Sequence, residues 1–372
     1  MIFGHLTGIQ LVNKFKNSLF LFFIIIFLIE LISFSIVKFN LLEISHVPKI
    51  YLSNKIVPND EWWSEEKKWG AWHKVNSSTL QKRSCFDVKY SSNEVGARDS
   101  SFKSNSDNDI ILLGDSFAEG YGVNYEDTSQ KHIEKLNNTN VLNFGVSQNF
   151  GPVQYWLIYD EYAKKFNHST VIIYFLPDND FGENDYSNWK GSKRYRPYYK
   201  KIAENNYDIF IPEKSVKNYI STTKKIKKVF KDFLWSSNLF INLNYKYKIY
   251  RSNKRASNTN FSAYFDTSLK QQKAAIFFLD KIINTSSANV ILVSIPRLQD
   301  FKRLSDGYKL DKIYWNNYFS KKDKSNNKFK FVDLIKFPPK DINGIYLKCD
   351  GHWSSAGNLW AAKIISDNLF DD

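Results

Sequence analysis

The chain has 372 residues, 43% of them hydrophobic, and carries 14 more Lys and Arg than Asp and Glu. That length allows one substantial core and a small accessory lobe, since single domains commonly reach about 250 residues. Two cysteines, Cys85 and Cys349, exclude a dense disulfide framework and any four-cysteine metal site; whether the two pair is left open by the sequence, which cannot show that they approach each other.

After a tail of residues 1–17, the stretch from Ser18 to Val37 holds twenty residues with one charge, Glu30. At 1.5 Å per residue such a helix crosses about 30 Å of hydrocarbon, and it is too long without a polar face for a core helix. No alanine precedes Ala71, so a small-residue cleavage site is missing and an uncleaved anchor is expected. Lys14 and Lys16 on one side nearly balance Lys38, Lys49 and Lys55, offset by Glu43, on the other. The short N-terminal tail favours a cytoplasmic N-terminus and an exported remainder, a single-pass inner-membrane protein with its main domain facing the periplasm.

Residues 38–108 form a lead-in with weak periodicity and four close tryptophans, Trp62, Trp63, Trp69 and Trp72. Indoles so placed pack near a membrane interface, seal a small core, or form a sugar-stacking platform; the packing reading is preferred.

From Asp109 the pattern becomes regular, defining a main domain over 109–369. Apolar runs at Ile110–Leu113, Val141–Phe144, Val171–Phe175, Val290–Ile295 and Phe329–Leu334 alternate with helix-compatible stretches at Thr128–Leu136, Val153–Lys165 and Leu269–Ile283. Uninterrupted apolar strands separated by helices predict βαβ units and a parallel sheet covered on both faces. The gap after Phe175 is too long for one crossover, so about 182–265 is predicted to be an insertion. From Lys190 to Arg255 it carries 18 Lys or Arg against four Asp or Glu. Such a stretch attracts polyanions, or forms a solvated face of a chain rich in Lys, Asn and Ile.

Two segments carry candidate chemistry. In Ile110–Gly122 a strand runs into Gly114-Asp115-Ser116, which places a serine where open α/β sheets hold ligands. A following helix N-terminus would offer N–H groups to an oxyanion, although Asp115 and Ser116 could equally just cap that helix. In the segment from Cys349 to Gly357, Asp350 stands beside His352. A serine hydroxyl needs a base, and a histidine oriented by a carboxylate supplies one near neutral pH. Two further strand ends, at 143–151 and 175–180, contribute Gly145 and Asn179 as candidate oxyanion donors, or plain turn chemistry. A metal site from Asp178, Asp180, Asp185 and His352 is a disfavoured alternative, because these residues lack regular ligand spacing.

These four segments, in this order, resemble the SGNH (GDSL) hydrolase family. The resemblance covers roughly residues 90–369 apart from the insertion. It implies a three-layer α/β/α sandwich with a five-stranded parallel, flavodoxin-like sheet, to which the N-terminal transmembrane helix and an inserted basic subdomain are added. It also implies Ser116 as nucleophile, His352 as base, Asp350 as its partner, and the Ser116 N–H, Gly145 N–H and Asn179 amide as oxyanion donors, with no cofactor and no metal. Pro177 stands where the third block usually has glycine. Gly351 alone separates Asp350 from His352, where the family usually has two residues, and Cys349 takes the usual Asp position. That spacing is similar to membrane-associated relatives that handle acyl groups on surface polysaccharides, including alginate acetylation proteins. The expected activity is that of a serine esterase or O-acyltransferase acting on an acylated extracytoplasmic glycan or another ester, with a membrane-bound acyl-donor protein as a further expected partner. A catalytically idle scaffold that binds glycan or lipid is the alternative, and nucleic acid is a disfavoured partner for an exported domain.

Overall fold

A computed structural model describes residues 8–39, 41–42, 62–83, 85–104, 106–148, 150–189, 195–212, 222–256 and 261–370. The chain divides into two compact units: Met1–Ser53 with Lys82–Ser84 and Lys217–Asn258, and the remainder.

The first unit contains the helix α1 (Gly8–Lys38). Its segment Asn13–Lys38 is, among the described residues, the one helix long and apolar enough to cross a membrane. Lys49, Lys55 and Glu43, which enter the orientation count, lie outside the described residues.

The second unit begins with two antiparallel hairpins, β1 (Trp63–Glu66) with β2 (Gly70–His73) and β3 (Ser78–Arg83), whose last two residues fall to the first unit, with β4 (Phe86–Ser91). Trp62, Trp69 and Trp72 are buried, and the Trp72 Nε1–H donates to the Val95 carbonyl at 2.8 Å. Three of the four clustered indoles therefore serve packing.

The core strands follow: β5 (Ile110–Leu113), β6 (Val141–Asn143) and β7 (Thr170–Phe175). A peripheral antiparallel pair comes next, β8 (Tyr198–Ala203) with β9 (Asn206–Phe210), and then β10 (Asn289–Ser294) and β11 (Phe329–Asp333). Every residue of β5 and β7 is buried, as expected of strands covered on both faces. The sheet order is β11-β10-β7-β5-β6 and all four pairings are parallel. Taken in chain order this is 2-1-3-4-5, the doubly wound arrangement whose ligand crevice opens where strand order reverses, between β5 and β7. The register pairs Ile110 with Val141 on one side and with Thr170 on the other, so the segments after β5, β6 and β7 emerge together at one edge.

The helices of this unit are α2 (Ser116–Glu119), α3 (Ser129–Asn137), α4 (Pro152–Glu161), α5 (Pro177–Glu183) and α6 (Tyr186–Trp189). The first unit supplies α7 (Thr222–Phe233) and α8 (Trp235–Ala256). After them come α9 (Ala263–Asp266), α10 (Leu269–Thr285), α11 (Leu298–Ser305), α12 (Tyr314–Ser325) and α13 (Ser355–Ser366). α3 packs with α13, while α10 packs with α4 and α12.

The segment expected as an insertion, about 182–265, is divided between the two units. The β8–β9 pair belongs to the sheet-containing unit, whereas α7 and α8 cluster with the N-terminal segment, because α8 packs on α1 and α7 packs on α8. Residues 190–194, 213–221 and 257–260 of that insertion lie outside the described residues.

Candidate active site

The turn after β5 is made by Gly114, where a Cβ would come within 2.8 Å of Ala118 Cβ and 2.9 Å of Tyr174 Cβ. Only glycine lets the chain pass so close to β7. Asp115 then caps α2, its Oδ1 accepting the Phe117 N–H at 2.9 Å, and Ser116 opens the helix as its first residue. The Ser116 N–H therefore has no intrahelical acceptor and faces the ligand edge. Asp115 is buried, and burial holds its carboxyl above the ordinary carboxylate range.

Opposite lies the loop between β11 and α13. Its isolated bridge Tyr346–Trp353 and the Leu347 N–H to His352 carbonyl bond of 2.8 Å fold residues 347–352 into a tight excursion. This delivers His352 Nε2 to 2.7 Å from Ser116 Oγ, and His352 Nδ1 is bonded to Asp350 Oδ1. Asp350 Oδ1 also accepts the His352 backbone N–H at 3.2 Å. The rings of Phe117 and Tyr121 flank the imidazole, with centroids at 5.0 and 4.6 Å. Ser116 and His352 are half-buried, accessible at the surface and shielded behind. A carboxylate, an imidazole and a hydroxyl in one hydrogen-bonded line form an arrangement that activates the hydroxyl for attack on an ester carbonyl.

Asn179, from the first turn of α5, donates through Nδ2 to Asp115 Oδ2 at 3.0 Å. The same amide nitrogen keeps a second hydrogen for a ligand. Gly145 lies where a Cβ would come within 2.6 Å of Ala118 Cβ, so the loop after β6 presses directly on α2. Its N–H, however, is engaged by Asn143 Oδ1 at 2.8 Å. Asn143 in turn donates to the Ala118 carbonyl at 2.7 Å and to Gln130 Oε1 at 2.9 Å. The structure thus brings Ser116, His352, Asp350 and Asn179 together, and it places Gly145 beside α2 with its donor already committed. For the disfavoured metal alternative, no cluster of three potential ligands exists among the described residues. Asp180 instead bonds Tyr155 and the Leu176 N–H, and Asp185 bonds Ser187.

Several site residues escape a reading by motif. Cys85 and Cys349 form a disulfide, which ties β4 to the residue before Asp350. Arg297 donates to the Gly351 carbonyl at 2.9 Å, lies 3.5 Å from Asp178, and sits over the Phe117 ring at 5.6 Å. Its position just beyond β10 was the available signal, because strand ends at this edge line the crevice. Arg98 is buried and donates to the Glu119, Gly120 and Val123 carbonyls at 2.6–2.8 Å. Glu119, also buried, accepts the Ser147 N–H and faces His73 Nε2 at 3.6 Å. The lead-in segment therefore braces the back of the nucleophile turn.

No family model matches the chain, and no curated protein matches it. Among solved structures it is similar to the lipase Lip_vut3 from a goat rumen metagenome (TM-score 0.38, 16% identity, covering 70% of this chain and 96% of the other). It is similar also to a member of the lipolytic protein G-D-S-L family from Veillonella parvula (TM-score 0.35, 13% identity, 70% and 97% covered). A third such structure is a family 3 carbohydrate esterase from Clostridium thermocellum (TM-score 0.34, 11% identity, 70% and 94% covered).

Proposed function

We propose that this chain is a membrane-anchored SGNH-type serine esterase or O-acyltransferase that works through an acyl-enzyme on Ser116. The observation that carries this reading is the continuous line from Asp350 through His352 to Ser116 Oγ, with the 2.7 Å contact at its reactive end. His352 Nε2 takes the Ser116 proton as Oγ attacks the ester carbonyl. The oxyanion forms against the Ser116 N–H and the Asn179 amide, each such donor being worth about 3 kcal/mol. Gly145 joins them if its N–H leaves Asn143. Collapse expels the alcohol, which takes the proton from His352, and leaves the acyl group on Ser116. The same base then activates the acceptor, water in an esterase or a sugar hydroxyl in an acyltransferase. Asp350 holds the imidazole tautomer and stabilises the imidazolium.

The choice of an extracytoplasmic glycan rests on the short Asp350-Gly351-His352 spacing and on two physical features. One is α1, which would anchor the chain. The other is the Cys85–Cys349 disulfide, a bond that persists in oxidising compartments.

The test is turnover of p-nitrophenyl acetate by the full chain in detergent, with Ser116→Ala as control and glycerol or a methyl glycoside as added acceptor. Turnover that vanishes in the variant supports the serine mechanism, and an acetylated acceptor selects transfer over hydrolysis. A wild-type protein that neither turns over nor gains an acyl mass sinks the proposal in favour of an idle scaffold.

A further inference from the structure

The Ser116 chemistry leaves the lysine-rich helices α7 and α8 without a task, and the partner they have chosen is informative. Glu30 is the one ionisable residue between Ser18 and Val37, and a lone carboxylate at membrane depth is strongly disfavoured unless it is paired. Its oxygens are occupied from α8. Oε2 accepts the Trp235 N–H at 2.8 Å, Oε1 accepts the Ser236 N–H at 3.2 Å, and the Ser236 hydroxyl donates to Oε1 as well. These N–H groups belong to the first turn of α8, where the helix has no acceptors of its own and its dipole is positive. Glu30 is thus a cap for a helix more than 200 residues away. Phe34 meets the Trp235 ring edge-on at 5.3 Å, and Ser33 is buried while residues 13–29 of α1 are exposed. α8 therefore packs on the C-terminal third of α1.

This contact sets a depth. Glu30 precedes Lys38 by eight residues, about 12 Å along the helix. If α1 spans a bilayer, the α7–α8 junction lies in the acyl region of the leaflet from which the C-terminal end of α1 emerges. The side chains at that junction suit hydrocarbon. Ile226, Val229, Phe230 and Phe233 recur at helical spacing on α7 and are each 50–57% exposed; Phe240 on α8 is 69% exposed. The intervening sequence of α7 supplies Lys224, Lys225, Lys227, Lys228 and Lys231. An apolar stripe on a lysine-rich helix, with Lys227 exposed, is the pattern of a helix lying in a membrane interface with acidic headgroups around it.

We infer that the α7–α8 junction is a lipid-binding element that inserts Phe230 and Phe233 into an anionic leaflet beside α1, an inference that rests on reading α1 as a membrane span. Because the native cysteines are joined to each other, single cysteines at Phe233→Cys, Lys227→Cys and Ile25→Cys can carry an NBD fluorophore in the full chain. The chain is reconstituted in phosphatidylcholine vesicles with or without phosphatidylglycerol. The expected result is that the label at position 233 is quenched several-fold more by lipids spin-labelled deep in the acyl chain than by aqueous iodide. The label at 227 should instead respond to headgroup-labelled lipid, more strongly with phosphatidylglycerol present. If the label at 233 is open to iodide while that at 25 remains in the acyl region, the inference is overturned and the anchor stands. If the label at 25 is also open to iodide, the spanning reading has failed and takes the inference with it. A label at 233 shielded from both quenchers means a protein covers the junction, which likewise overturns lipid as its occupant.

Discussion

The two halves of the proposed catalytic line are built by different means. On the nucleophile side, Asp115, Phe117, Ala118 and Glu119 are each no more than 2% exposed, and Arg98, Asn143 and Asn179 bond the turn from three directions. On the base side, Lys348 and Gly351 are exposed. There the loop is held by one disulfide, one guanidinium and a two-residue bridge. The proposed nucleophile, Ser116, is positioned by the core, so errors there fall on stability. The proposed base, His352, is positioned by tethers, so errors there fall on rate.

The sharpest separation of the two comes from His352→Ala and Arg98→Met. His352→Ala should lower kcat by about 10³-fold or more while lowering the urea midpoint far less than loss of a buried core group, since the ring packs against Phe117 and Tyr121 at the surface edge of the site. Arg98→Met should do the reverse. It leaves three buried carbonyls without their donor, at a cost of about 3–5 kcal/mol in unfolding free energy. The activity per folded molecule should stay within a few-fold of wild type. A variant of Arg98 that folded normally and lost turnover would erase the contrast.

Next in size is removal of the disulfide by the Cys85→Ser, Cys349→Ser double variant. Cross-links of long loops contribute about 2–4 kcal/mol through the unfolded chain. Here the bond is adjacent to Asp350, so kcat should also fall, by about tenfold, measured below the melting transition. Equal loss of stability with unchanged kcat would show that Arg297 and the Tyr346–Trp353 bridge suffice to hold the base.

Much of the fold was legible because its strands are short apolar runs covered on both faces, a pattern that needs no partner to be read. The Asp350, His352 and Ser116 assignments came from residue type and position at strand ends. Arg98 and Glu119 could not be found that way: a single arginine before β5 and a glutamate inside a four-residue helix have no periodicity. Their meaning lies in carbonyls and an imidazole brought near only by folding. Gly145 shows the same limit from the other side. Its place against α2 was readable from the loop after a strand, yet the capture of its N–H by Asn143 is a matter of geometry two residues away. The insertion was visible as charge, but its division between two units was not, because the contact of Glu30 with the first turn of α8 has no local signature.

The smallest expected effect concerns how the lead-in segment braces the nucleophile turn. Burial by itself would raise the Glu119 carboxyl, yet His73 first, then Arg98 and the Ser147 side chain, hold it below its ordinary value of 4.5. The unfolded chain therefore binds this proton more readily than the folded one. The stabilisation is present above the unfolded value and is lost as pH falls through the folded one. Glu119→Gln removes that proton-binding difference while keeping an oxygen toward the Ser147 N–H. Urea midpoints measured from pH 6 down to pH 3 should decline less steeply for the variant than for wild type, with the two curves converging at the acid end. Parallel curves would mean that Glu119 does not hold its proton differently in the two states. The His73 contact would then be packing among the indoles of Trp62, Trp63 and Trp72 rather than an electrostatic brace.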